Sequence, residues 1–287
     1  MTTGRVGVEL EVIRFARIPT PHDYVFRPPG RGPWRWWSGF RAGDDAIDGP
    51  CLAFVLRHPT AGVLLVDSGL HPKSHHSLED FGPIMRIVFR HLEPVGPPFD
   101  QALRERGVEP SDVEHVVMTH LHVDHTSGMR LLPNARFTCA AAEWHAATAR
   151  GAALKGYVRA HLPDDSRMKM LDLERDGVPH GPFPHTLDLL GDGAVHLIAT
   201  PGHTPGHLSV LAHVSGRGDV LLVGDAAYTT QSIDKQQLPL ITDDDNASRR
   251  TLSQLHDFTR ARPDIVVIPT HDPVAWQHGH EAHHPRS

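Results

Sequence analysis

The run His120-Leu121-His122-Val123-Asp124-His125 constrains this chain more than any other feature. It follows Val116-Val117-Met118, an apolar stretch that reads as a buried strand running into Thr119. Loops at strand ends are where α/β proteins set functional side chains. Alternate residues of an extended segment point the same way, so His120 and His122 can grip one ion together. Asp124 and His125, past the turn, can face a second ion nearby. Neutral imidazoles and a carboxylate are the donor set that suits zinc and similar divalent ions. The chain has 24 histidines, so a close pair is unremarkable, whereas four ordered donors at a strand end are not. His278, His280, His283 and His284 sit in a polar tail and read as solvated.

Other strand ends repeat the signal. Val195–Ala199 leads into Thr200-Pro201-Gly202-His203-Thr204-Pro205-Gly206-His207, Val220–Val223 into Gly224-Asp225, and Ile265–Ile268 into Pro269-Thr270-His271. Each delivers a potential ligand, and four such ends converging would build two metal sites. Further strands are expected at Cys51–Leu56, Val63–Val66, His115–Met118, Arg136–Ala140 and Leu208–Ala212. Cys51–Leu56 with Val63–Val66, and Leu208–Ala212 with Val220–Val223, flank turn-like segments and read as hairpins. Helical spacing appears over Phe99–Arg106, Ala140–Arg150 and Asp245–Arg262, with a short helix at Ile84–Phe89. Strands mixed with helices imply sheets covered by helices.

Segments 27–50, 70–98 and 151–185 lack clear periodicity. The first holds Trp34, Trp36 and Trp37 among glycines and prolines, and three exposed indoles would be costly, so a packed role is expected. Segments 27–50 and 151–185 are expected to act as lid or dimer segments of one domain spanning 1–287.

Composition narrows the partners. Apolar residues make up 39% and charged residues 22%, as in globular chains. The formal charge of −6 and the lack of a basic stripe argue against nucleic acid and membrane surfaces. Cys51 and Cys139 are too few for a disulfide framework and read as buried apolar residues. The N-terminus does not look like a signal peptide, and no apolar run reaches membrane length, so a cytoplasmic location is expected.

The ordered set HxHxDH (His120 to His125), TPGHTPGH (His203), GD (Asp225) and a late TH (His271) resembles the metallo-β-lactamase superfamily. The turn Asp67-Ser68-Gly69 and the later Ala142-Glu143-Trp144 also match, and the resemblance spans Cys51 to His271. It implies an αββα sandwich with the site at one edge between the sheets. It further implies one metal on His120, His122 and His203, and another on Asp124, His125 and His271, with Asp225 bridging both. His207 matches a supporting position. The cofactors implied are two divalent ions, Zn²⁺ foremost, with Mn, Fe or Co also accepted by such ligands.

Class B β-lactamases place a cysteine where this chain has Asp225, which argues against β-lactam hydrolysis. Tyr228, three residues after Asp225, is similar to the tyrosine of the N-acyl homoserine lactonases, which lies over the dinuclear centre and touches the substrate carbonyl. The expected activity is therefore opening of a lactone, a small-molecule substrate, by water activated between the metals. Asp124 would pass a proton to the leaving oxygen and Tyr228 would stabilise the oxyanion. No GxSxG motif offers a competing nucleophile. The alternatives are a glyoxalase II-like thioesterase, another ester or phosphodiester hydrolase of the superfamily, and a non-catalytic metal-binding sensor. Only sixteen residues follow His271, which counts against the C-terminal helical region of the thioesterases. An aromatic N-terminal arm would suit a homodimer contact.

Overall fold

A computed structural model describes residues 5–29 and 45–280, with side chains given as far as residue 277. Trp34, Trp36 and Trp37 and the side chains of the tail histidines lie outside the described residues.

Two mixed sheets stack face to face. The first contains β1 (Glu9–Thr20), β2 (Ile47–His58), β3 (Gly62–Val66), β4 (Glu93–Pro94), β5 (His115–Val117), β6 (Arg136–Ala140) and β7 (Met168–Leu171). Its order is β4-β1-β2-β3-β5-β6-β7. The second contains β8 (Val178–His180), β9 (Phe183–Asp188), β10 (Val195–Ala199), β11 (Leu208–Val214), β12 (Gly218–Gly224) and β13 (Val266–Pro269), in the order β13-β12-β11-β10-β9-β8. Both predicted hairpins form: β2 pairs antiparallel with β3, and β11 with β12.

Side-chain alternation explains the layering. Along β2, Leu52, Phe54 and Leu56 enter the core between the sheets, while Cys51, Ala53 and Val55 enter the core beneath the helices. Along β12, Val220 and Leu222 face inward and Leu221 and Val223 face outward. Strands buried on both faces read as continuous apolar runs, which is why the sequence marks them so plainly. Helices Gly82–Val88, Phe99–Arg104 and Ala141–Thr148 cover the first sheet. Helix Asp245–Ala261 covers the second with Leu252, Leu255 and Phe258. Asp244 caps that helix, its carboxylate accepting from the amides of Asn246 and Ala247. The result is the αββα sandwich.

Segment 151–185 is more ordered than its composition predicts. It contributes β7, β8 and the start of β9, and its short 3₁₀ turns place Gly156 and Tyr157 against the histidine loop. β7 and β8 sit at sheet edges with polar outer faces, so they lack the apolar run that marks a central strand. β1 was also not anticipated. Its alternation is broken by a register shift between Arg14 and Ala16. No helix among the described residues is long and apolar enough to cross a membrane.

Candidate metal centre

Parallel β3, β5 and β6 end side by side, and the ligand loop leaves from β5. Asp67, immediately after β3, holds a left-handed backbone (φ 61°). From there its carboxylate accepts from the Thr119 amide (2.8 Å) and hydroxyl (2.9 Å) and from His125 Nδ1 (2.8 Å). With Nδ1 of His125 held by Asp67, Nε2 is the nitrogen turned towards the centre, free to bind a cation once its proton is displaced. Ser68 donates to the His125 carbonyl through both its hydroxyl (2.7 Å) and its amide (3.2 Å). Gly128 lies so close that a Cβ there would fall 1.8 Å from the Ser68 carbonyl oxygen.

The chain turns at His122 into the short helix Val123–Thr126, which brings Asp124 and His125 round to the centre. All seven predicted ligands come together, in overlapping groups of His120, His122 and His203; His120, His125 and Asp225; and Asp124, His125 and His271. Nε2 of His203 lies 3.0 Å from Nδ1 of His122. Asp225 is central: its carboxylate lies 3.2 Å from His271 Nε2, 3.5 Å from His203 Nε2, 3.5 Å from His125 Nε2 and 4.0 Å from His120 Nε2. His271 is fixed from behind by its Nδ1, 2.9 Å from the Pro50 carbonyl.

The donor set fits divalent cations. His120 Nε2 and Asp225 Oδ1 are buried and make no hydrogen bond, a costly arrangement unless something else satisfies them. Burial, reinforced by neighbouring imidazoles, holds His120 and His203 well below the usual histidine range, so both are neutral donors at pH 7. Burial also lowers His125 and His271. It is outweighed by carboxylates, Asp67 and Asp124 at His125 and Asp225 at His271, and both rings are held well above the usual range. Cations entering between these rings would therefore displace protons.

His207 takes a supporting place. Its Nε2 accepts from the Asp225 amide (2.9 Å) and its Nδ1 contacts the Thr200 hydroxyl (2.9 Å). Burial pushes it down to about 3, so it stays neutral. Tyr228 closes the opposite side, its ring 5.8 Å from that of His203 and 5.3 Å from that of His271.

Four further residues at the centre are not among the predicted site residues. Tyr24 stacks parallel to Tyr228 at 6.1 Å, within a small apolar cluster that includes Val25 and Phe26. Tyr157 pairs as an isolated bridge with His122, ring to ring at 5.1 Å. Cys51 is buried with its thiol beside His271. Glu143 is buried beneath the ligand loops. Only Glu143 carried a signal, in the Ala142-Glu143-Trp144 pattern. The others reach the site through tertiary contacts between distant segments.

Residues 46–271 match the metallo-beta-lactamase superfamily. The chain belongs to that superfamily. This member is 31% identical to the N-acyl homoserine lactonase AttM of Agrobacterium fabrum over 234 residues, covering 79% of this chain and 83% of the relative. It is 32% identical to a probable metallo-hydrolase of Mycobacterium tuberculosis over 248 residues, 75% of this chain and 73% of that one. Its fold superposes on a crystal structure of a Bacillus thuringiensis AiiA variant with N-decanoyl-L-homoserine at the active site, with a TM-score of 0.72, 23% identity and 96% of each chain covered. As a metallo-beta-lactamase superfamily member with clustered histidine and aspartate donors, it is a metal-dependent hydrolase.

Proposed function

We propose that the protein opens the ring of N-acyl homoserine lactones, with His120, His122 and His203 holding one divalent cation, Asp124, His125 and His271 a second, and Asp225 shared between them. The observation that carries this reading beyond generic hydrolysis is Tyr228, packed against His203 and His271 with its phenol at the rim of the donor cluster. The lactonase names of the curated relatives point the same way. Zinc is the cation we favour, since five histidines with two aspartates form a zinc-like set. When bound, such cations supply Lewis acidity and lower the pKa of water towards neutrality.

The side chains supply the rest. Burial, with Tyr24 and Asp225 alongside, pushes the Tyr228 phenol well above its ordinary range, so it stays protonated. It can therefore donate to the carbonyl oxygen as negative charge develops there. Asp124 lies 3.6 Å from His125 Nε2 and offers its carboxylate to a proton passing to the ring oxygen as the acyl C–O bond breaks. Tyr24, Val25 and Phe26 form an apolar wall beside Tyr228 that limits bulk water.

Ring opening releases one proton per turnover at neutral pH, because the product is a carboxylate. A pH-indicator assay with N-acyl homoserine lactones, simple lactones, thioesters and phosphodiesters tests the proposal. Cleavage of homoserine lactones well above the other classes is expected. Efficient thioester or phosphodiester cleavage with inert lactones would refute it.

A further inference from the structure

Glu143 is fully buried, in the first turn of helix Ala141–Thr148, and is outside the predicted ligand set. Its two carboxylate oxygens serve two different loops. Oε1 accepts from the amide of Leu121 at 2.9 Å, and Oε2 from the amide of Gly206 at 3.1 Å. Leu121 stands between His120 and His122, and Gly206 stands three residues after His203. The approach is tight: a Cβ on Gly206 would lie 2.2 Å from the Glu143 backbone nitrogen. Gly206 is therefore required where the His203 loop crosses the helix start. The Tyr157 ring packs on His122 from the same side.

We infer that Glu143 is a positioning residue for the cation held by His120, His122 and His203, clamping the two loops that carry them at a fixed separation before any cation arrives. The two loops are 83 residues apart when counted from His120 to His203, and they belong to different sheets. One backbone hydrogen bond, from the Leu208 amide to the Thr119 carbonyl at 2.7 Å, joins the strand ends behind the loops, and Glu143 joins the loops themselves. A carboxyl group accepting two amide hydrogen bonds, one on each oxygen, ties them directly. Glutamine cannot replace it, because its NH₂ group would face one amide donor to donor. Aspartate keeps the carboxyl group but is one methylene too short to reach both amides.

This inference rests on reading the three histidines as ligands of one cation, and cobalt(II) alone separates the two. Metal-free wild type, Glu143→Gln and Glu143→Asp are titrated with Co²⁺ and followed by absorbance, with melting temperatures recorded before and after loading. Wild type is expected to bind two equivalents. Both variants are expected to bind one of them about 10- to 100-fold more weakly, leaving the other unchanged. The gain in melting temperature on loading should shrink accordingly. Equal lowering of the metal-free and loaded melting temperatures, with cobalt affinity unmoved, would overturn the clamp while leaving the ligand assignment intact. Full affinity in Glu143→Asp would overturn the two-loop span. Failure of wild type to bind cobalt would instead overturn the ligand reading itself. Amide hydrogen exchange in metal-free wild type needs no variant: Leu121 and Gly206 should both be slow, and free exchange at both would refute preorganisation by Glu143.

Discussion

Removing a carboxylate that faces several imidazoles takes away the charge that orders them and a donor that the proposed metal centre would need. Asp225→Ala should therefore lose bound metal and hydrolysis together, as read by elemental analysis beside the lactone assay. Retention of both in the variant would exclude Asp225 from the centre. Tyr228→Phe removes one hydroxyl and little else. Turnover is expected to fall by about 100-fold, the usual effect of deleting one oxyanion donor, with metal content unchanged. Loss of metal in that variant would mean the ring holds the ligand loops rather than the substrate. At this scale much was legible in advance. Histidine and aspartate at successive strand ends carry their own signal, because strand direction fixes where the next side chain points. Tyr24 and Cys51 carried none, since HDYVF and GPCLA are ordinary segments until the fold brings them beside Tyr228 and His271.

The strand-end turns carry the next level of constraint. Asp67-Ser68-Gly69 lies directly on the loop of His125 through Ser68, and Gly128 makes that approach possible. A methyl at residue 128 would require backbone displacement in both loops. Gly128→Ala should destabilise by roughly 3 kcal/mol and disturb His125, which denaturant unfolding and metal titration would read separately. Wild-type stability in this variant would show that the loops can part without cost. Central strands were legible because their two buried faces leave an unbroken apolar run. Edge strands β7 and β8 were not, since one side faces water and polar residues interrupt the run. β1 escaped for another reason: one extra residue at the Arg14–Ala16 bulge breaks the period of two.

Long-range ion pairs join the outlying parts of the molecule. Asp219, at the start of β12, takes Arg5 at 3.0 Å from before β1, Arg262 at 2.9 Å from beyond the long helix, and His213 at 2.7 Å from β11. Burial raises the Asp219 carboxyl, but hydrogen bonds from His213, Arg262 and Arg5 outweigh it and lower the group to about 2. A carboxylate depressed below its ordinary value of about 3.9 stabilises the fold above that pH, and the contribution disappears as pH falls through about 2. Asp219→Asn should remove this term, lowering stability at neutral pH and flattening the acid limb between about pH 4 and 2. Unfolding followed by circular dichroism across that range checks it, and an unchanged acid limb would show the cluster to be energetically idle.

The sequence by itself determined the candidate donors, the central strands and the superfamily, because histidine and aspartate at strand ends and doubly buried strands are local patterns written in consecutive residues. The tertiary structure alone decided what surrounds those donors. Asp67 holds Nδ1 of His125, Tyr24 stacks on Tyr228, and Glu143 joins the His120–His122 loop to the His203 loop. Each of these contacts links segments far apart in the chain, so its geometry exists only once the two sheets have packed and brought their strand ends to one edge.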